Sequence, residues 1–266
     1  IMRIEDLPKK LQEWTSLSGK PMLRRVIAGA VVVLSFGYMG WMLARNWSDL
    51  VAYEWQIDLK QVALAFVCYS IALGFAVLGW SLMMRQLTPL ANPSKHLKYY
   101  AYSNLLKRLP APLLSVFGRA YFYRQEGIAN SLMVTISLLE WVVIILSGIP
   151  LYLLTMPFMP LPPIWRSPFI PVGLLILGAL LVRPKTFRAA LRLFGQEDSA
   201  VTFQYGDLLL WLLVYSVVWI TGGLVLYVGI NSIYHLPITH LPTVIGIWIL
   251  SGLIPTLMLI TPVGLG

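Results

Sequence analysis

Residues 131–156 read SLMVTISLLEWVVIILSGIPLYLLTM, an apolar run broken by one charge, Glu140. As an α-helix rising about 1.5 Å per residue, such a run is long enough to cross about 30 Å of hydrocarbon. Continuous apolar character over this length excludes the ten-residue alternating segments of a membrane β-barrel. Five further runs have the same character: Val26 to Ala44, Gln61 to Met84, Phe169 to Val182, Leu208 to Ile230 and Val244 to Ile260. Phe169 to Val182 is the shortest, and Pro162, Pro163, Pro168 and Pro171 crowd its entrance, which suits an irregular or tilted start. With 58% hydrophobic and 12% charged residues, the composition is far from that of a water-soluble domain, where about a quarter of residues are charged. The expected fold class is therefore all-α, a polytopic membrane helix bundle of about six spans.

The Lys and Arg residues order these spans. Six precede the first span, and the successive connections carry two, seven, one, four and none. If the segment between the second and third spans returns to its starting side, seventeen basic residues share one face and three the other. The positive-inside rule then puts the N-terminus and that segment of this multi-pass protein in the cytoplasm. Residues 1–25 form an N-terminal segment in which Leu7, Leu11 and Trp14 fall at helical spacing beside Lys9 and Lys10, as in an interfacial helix. Residues 26–266 form the membrane domain.

The returning segment, Arg85 to Gly127, carries seven basic residues against one acid, Glu126, yet SNLLKRLPAPLLSVF runs through its middle. It is too apolar for a solvated loop and too charged to cross a bilayer cleanly. Leu97 to Leu109 reads as a helix, Pro110 and Pro112 interrupt it, and a second half begins near Leu113. Both a re-entrant helical hairpin and a flat interfacial one fit this pattern. Lys107, Arg108, Arg119, Tyr123 and Arg124 are the candidates for holding an anionic lipid headgroup, because the Arg fork matches phosphate or carboxylate.

Glu140 lies near the middle of its span, where an ionised carboxylate costs roughly 2.5–3.5 kcal/mol. It must face protein or water, and pairing with Arg119 or Arg108, or protonation, would relieve the cost. In the fifth span Asp207, Trp211, Tyr215, Trp219, Gly223, Tyr227 and Asn231 recur every four residues along one slowly drifting face. Asp207, Trp211, Tyr215 and Trp219 on that face either line a cavity or pack against neighbouring helices, with Gly222 and Gly223 permitting close approach. Cys68 stands alone, and His96, His235 and His240 lack the spacing of a zinc motif. No phosphate loop, GxSxG element or cofactor fingerprint occurs, so neither a metal, a cofactor nor a catalytic residue is expected.

The run YSNLLKRLPAPLLSVFGRAYFYRQEGI, followed by LLEWVVIILSG and later by TPVGLG, resembles the flippase-like membrane domain of lysylphosphatidylglycerol synthetases and their stand-alone relatives. The resemblance is strongest over Asn104 to Gly148, which includes Gly118, Arg119, Arg124 and Glu140. It implies a multi-pass protein of the bacterial or archaeal cytoplasmic (inner) membrane, related to domains that move aminoacylated phospholipids or assist polyprenol-linked glycan pathways. The soluble aminoacyltransferase domain of the bifunctional synthetases has no counterpart in this sequence, so lipid aminoacylation is not implied. The Gly-rich element of that family continues past the point where this sequence stops at Gly266, and a fragment is expected. The expected partners are membrane lipids with anionic headgroups, with no nucleic acid. A membrane scaffold for a lipid-modifying enzyme or glycosyltransferase is the alternative, and an intramembrane transferase the least favoured reading.

Overall fold

The computed structural model describes residues 33–34, 36–53, 56–90, 92–106, 114–162, 167–193 and 203–260, and the regular elements among them are all helical. The expected N-terminal segment, the start of the first span, Lys107, Arg108 and the Pro110–Pro112 break lie outside these residues. The chain divides into two compact units, one of Ile1–Trp55 with Val263–Gly266 and one of Gln56–Pro262. In the first, residues 36–45 and Trp47–Ala52 are helical. Its apolar side chains, Phe36, Met39 and Trp41 among them, are exposed, and the Arg45 guanidinium lies 5.4 Å from the Trp41 ring centroid.

The second unit contains α1 (Leu59–Leu87), α2 (Pro93–Leu106), α3 (Leu114–Arg124), α4 (Asn130–Thr155), α5 (Phe169–Leu181), α6 (Pro184–Leu193), α7 (Tyr205–Asn231) and α8 (Leu241–Ile260). Among the described residues, four stretches are long and apolar enough to cross a membrane: Leu59–Leu87, Asn130–Phe158, Tyr205–Asn231 and Ile238–Thr256. These are the helices of an integral membrane protein. The shortest expected span is instead the 13-residue helix α5, about 20 Å long and so short of the hydrocarbon thickness. Pro168 caps it and Pro171 occupies its first turn, so the chain upstream cannot extend it smoothly.

Polar contacts fix the direction of each long helix. At one end of α7, Asp58 N donates to Ser232 O at 2.8 Å; at the other, Gln86 Nε2 donates to Asp207 Oδ1 at 2.6 Å. Hence α1 and α7 are antiparallel. Tyr215 meets Glu140 and Trp219 meets Ile144, so α4 runs parallel to α7. Gly223 faces Ile245 and Trp219 faces Gly252, so α8 is antiparallel to α7. It follows that α1 ends and α4 begins at the same end of the bundle, and the intervening basic segment returns to its starting side. A Cβ on Gly223 would lie 2.9 Å from the Ile245 Cα, so this α7–α8 crossing requires glycine.

The returning segment is the antiparallel pair α2 and α3. Asn92 starts α2 by accepting from Ser94 N at 3.1 Å, and Pro93 follows it where a helix has no use for an N–H. This cap puts the helix start four residues ahead of the expected Leu97. At the other end, Ile128 N donates to Tyr123 O and Gly127 N to Arg124 O, and Gly127 has φ 80°. That is a Schellman stop, whose left-handed residue favours glycine, and it turns the chain into α4. Two apolar clusters hold the bundle: one about Trp80, Tyr123, Trp211 and Tyr215, the other about Tyr152, Trp219, Ile249 and Leu253. Helix α4 passes through both. The most apolar part of its span is 78% buried, against 11% for that of α1.

Candidate functional site

Glu140 is fully buried on α4 and is the acid at the centre of a polar cluster drawn from four helices. Its Oε2 accepts from Arg119 Nη1 of α3, and its Oε1 accepts from the Tyr215 hydroxyl of α7 at 2.8 Å. Arg119, 2% exposed, also donates from Nε to Ser103 Oγ of α2 at 3.1 Å, and Ser103 in turn donates to Tyr100 O at 2.9 Å. The guanidinium carbon lies 4.0 Å from the Trp80 ring centroid of α1 and 4.9 Å from that of Tyr100. Desolvated cation–π contacts of this kind contribute about 2 kcal/mol. Thus the cation is held by a carboxylate, a hydroxyl and two aromatic faces, the assembly that a charge needs when water is excluded.

A second polar chain fastens the hairpin beside this cluster. His96, fully buried on α2, lies with Nε2 3.0 Å from Leu90 O and Nδ1 2.8 Å from the Tyr123 hydroxyl. A carbonyl only accepts, so Nε2 carries the proton, and in the neutral ring Nδ1 accepts from Tyr123. The Tyr123 oxygen accepts from Trp80 Nε1 at 2.9 Å. Burial lowers the His96 pKa; the bond to Leu90 opposes this, and the charge of Arg85 adds to it. Nearer the surface, Glu126 accepts from Lys95 at 2.6 Å and from the Tyr99 hydroxyl at 2.6 Å. These two bonds hold its carboxyl below the usual range.

The sequence candidates separate into distinct environments. Arg119, Tyr123 and Glu140 come together inside the bundle, whereas Arg124 is exposed on the hairpin's outer face. On α7, Trp211, Tyr215 and Trp219 are buried and pack against neighbouring helices, with Trp219 Nε1 donating to Ile144 O at 3.0 Å. Asp207 serves the helix end, where its Oδ2 accepts from Gln204 N at 2.8 Å and its Oδ1 from Gln86. Sequence reasoning left out Trp80, His96, Tyr100 and Ser103 as members of the site. For Tyr100 and Ser103 a signal existed: they are three residues apart and share the face that turns to α3.

The ends of the bundle differ in charge. The hairpin end carries Arg85, Lys95, Lys98, Arg124, Arg183, Lys185 and Arg192, while at the other end the described residues of this unit carry Lys60 as their only Lys or Arg. Among the described residues no group of His, Cys, Asp and Glu is arranged to hold a metal ion. Compared with known protein families, with curated proteins and with solved structures, the chain has no match.

Proposed function

We propose that this chain is a lipid-handling protein of the cytoplasmic membrane, which binds and translocates a lipid with an anionic or aminoacylated phosphate headgroup, phospholipid or polyprenol-linked. The observation that carries the reading is the Arg119–Glu140–Tyr215 cluster, in which the hairpin delivers a buried cation to an acid and a tyrosine on two membrane-spanning helices. Charges at such depth cost several kcal/mol and are retained for substrate or ion pathways more often than for packing. The cationic hairpin end, facing the cytoplasm, gathers the headgroup, and basic residues there contribute about 1 kcal/mol each toward anionic lipid. Tyr102, Phe117 and Tyr121 are exposed on the hairpin and offer an aromatic surface to lipid. The resemblance to the flippase-like domain of lysylphosphatidylglycerol synthetases supports the same reading.

The test is movement of fluorescent phosphatidylglycerol and polyprenyl phosphate across proteoliposome membranes, in wild type, Arg119→Lys and Glu140→Gln, each checked for a monodisperse folded state. Loss of movement in the folded variants is the expected result. Unchanged movement in both would refute the role of the cluster. A second reading, a scaffold for a lipid-modifying enzyme, draws on the same exposed aromatic and basic hairpin face; it predicts a stable complex and no lipid movement by the isolated protein.

A further inference from the structure

Four buried side-chain polar atoms among the described residues find no hydrogen-bond partner within the protein: Arg119 Nη2, Ser137 Oγ, Trp211 Nε1 and Asn130 Oδ1. Ordinary proteins leave few such atoms, because each costs on the order of 1–3 kcal/mol. Arg119, Ser137 and Trp211 are at most 2% exposed, and each offers a hydrogen to a partner that accepts. Asn130 is the first residue of α4, at the hairpin end, and is only half-buried.

The three donors are related by helix geometry. Ser137 precedes Glu140 by three residues on α4, and Trp211 precedes Tyr215 by four on α7, so each shares a face with the member of the cluster that follows it. Because α4 and α7 run parallel, with Glu140 level with Tyr215 and Ile144 level with Trp219, both displacements point the same way. Ser137 and Trp211 therefore lie on corresponding turns of α4 and α7, about 5 Å along the helix axes from Glu140 and Tyr215 toward the cationic hairpin end. Trp211 is fixed there by packing on Phe203, with ring centroids 5.1 Å apart. A guanidinium N–H, an indole N–H and a hydroxyl, each buried without a partner in the protein, call for a group rich in acceptors. Phosphate supplies that, whereas a donor such as an ammonium does not.

We infer that Ser137 and Trp211, together with Arg119 Nη2, form a phosphate-binding step one helical turn on the hairpin side of the Arg119–Glu140 pair. This deepens the lipid-handling reading and rests on it. It also gives a signature that a packing role lacks. Ser137→Ala removes a hydroxyl that makes no bond within the protein, so it weakens the ligand without weakening the fold. Trp211→Phe removes the N–H and keeps an aromatic ring.

The experiment is calorimetric titration of the full chain in neutral detergent with short-chain phosphatidylglycerol, short-chain polyprenyl phosphate and inorganic phosphate, on wild type and both variants, beside thermal unfolding of each. Both lipids are expected to bind roughly ten-fold more weakly to each variant, the scale of one charge-assisted hydrogen bond. Ser137→Ala is expected to unfold at or above the wild-type temperature. Inorganic phosphate bound as tightly as lipid, with the same sensitivity, would assign the step to the free anion; much weaker phosphate binding would assign it to the headgroup. Lipid affinity unchanged in both variants would overturn the inference and leave the lipid-handling reading standing. No binding of either lipid by the wild type would overturn both.

Discussion

Alanine at Gly79 and alanine at Gly74, one after the other on α1, should differ in stability by the cost of a single collision. A Cβ on Gly79 would lie 2.9 Å from Tyr215 Cε2, 3.0 Å from Cζ and 3.3 Å from the hydroxyl oxygen. Carbon atoms rest at about 3.5–4.0 Å, so something must yield by about half an ångström or more. The Tyr215 ring is 2% exposed, and its hydroxyl is tied to Glu140 at 2.8 Å, so it cannot swing aside without loosening the cluster. At Gly74 nothing lies within 4 Å. Both substitutions make the same change in helix propensity, about 1 kcal/mol in water, and the comparison cancels it. The remainder is the overpacking term, about 1–3 kcal/mol against Gly79→Ala. Paired unfolding in detergent, followed by tryptophan fluorescence, measures the difference. Equal stability of the two variants would show that α1 and α7 do not meet at Tyr215, and the placement of the polar cluster would fail with it.

Two further outcomes concern acid. The folded state depresses the His96 pKa below 6.5, so the unfolded chain takes up the proton first; stability should fall as pH drops below about 6.5, and His96→Gln should flatten that part of a pH–stability profile. Glu126 is likewise depressed from 4.5, so its contribution is present above that pH and is lost as pH falls through the lower folded value; Lys95→Met should reduce this separate loss in the same titration.

Helix class, the long apolar helices and the return of the basic segment were legible because each rests on a property that does not need neighbours. Apolar length marks a span whatever it packs against, and charge segregation follows from the end at which each connection lies. Glu140 was legible as costly for the same reason. Which cation would meet it was not, since Arg108 and Arg119 share a short basic segment and only the α2–α3 geometry brings Arg119 to it. The face of α7 was recognised, but period alone does not separate a cavity wall from a packed seam, and the contacts of Trp219 with the Ile144 carbonyl and of Gly223 with Ile245 come from neighbouring helices. Trp80 escaped notice because a Trp in an apolar run reads as ordinary membrane composition. His96 was weighed only as a metal ligand, although its nitrogens join a loop carbonyl to a tyrosine. The shortness of α5 was written in its prolines.

The order in which the chain is made gives the buried pair a further meaning. Arg119 precedes Glu140 by 21 residues, whereas Tyr215 follows it by 75. When the helix bearing Glu140 enters the bilayer, its cation has already left the ribosome on the preceding hairpin, and its tyrosine has yet to be translated. The acid can therefore be neutralised at insertion by a residue from its own N-terminal side, and the later arrival of α7 completes a site that is already electrically balanced. Moving Arg119 to a point after α4 would preserve composition and net charge, yet it would send Glu140 into lipid ahead of its counter-ion.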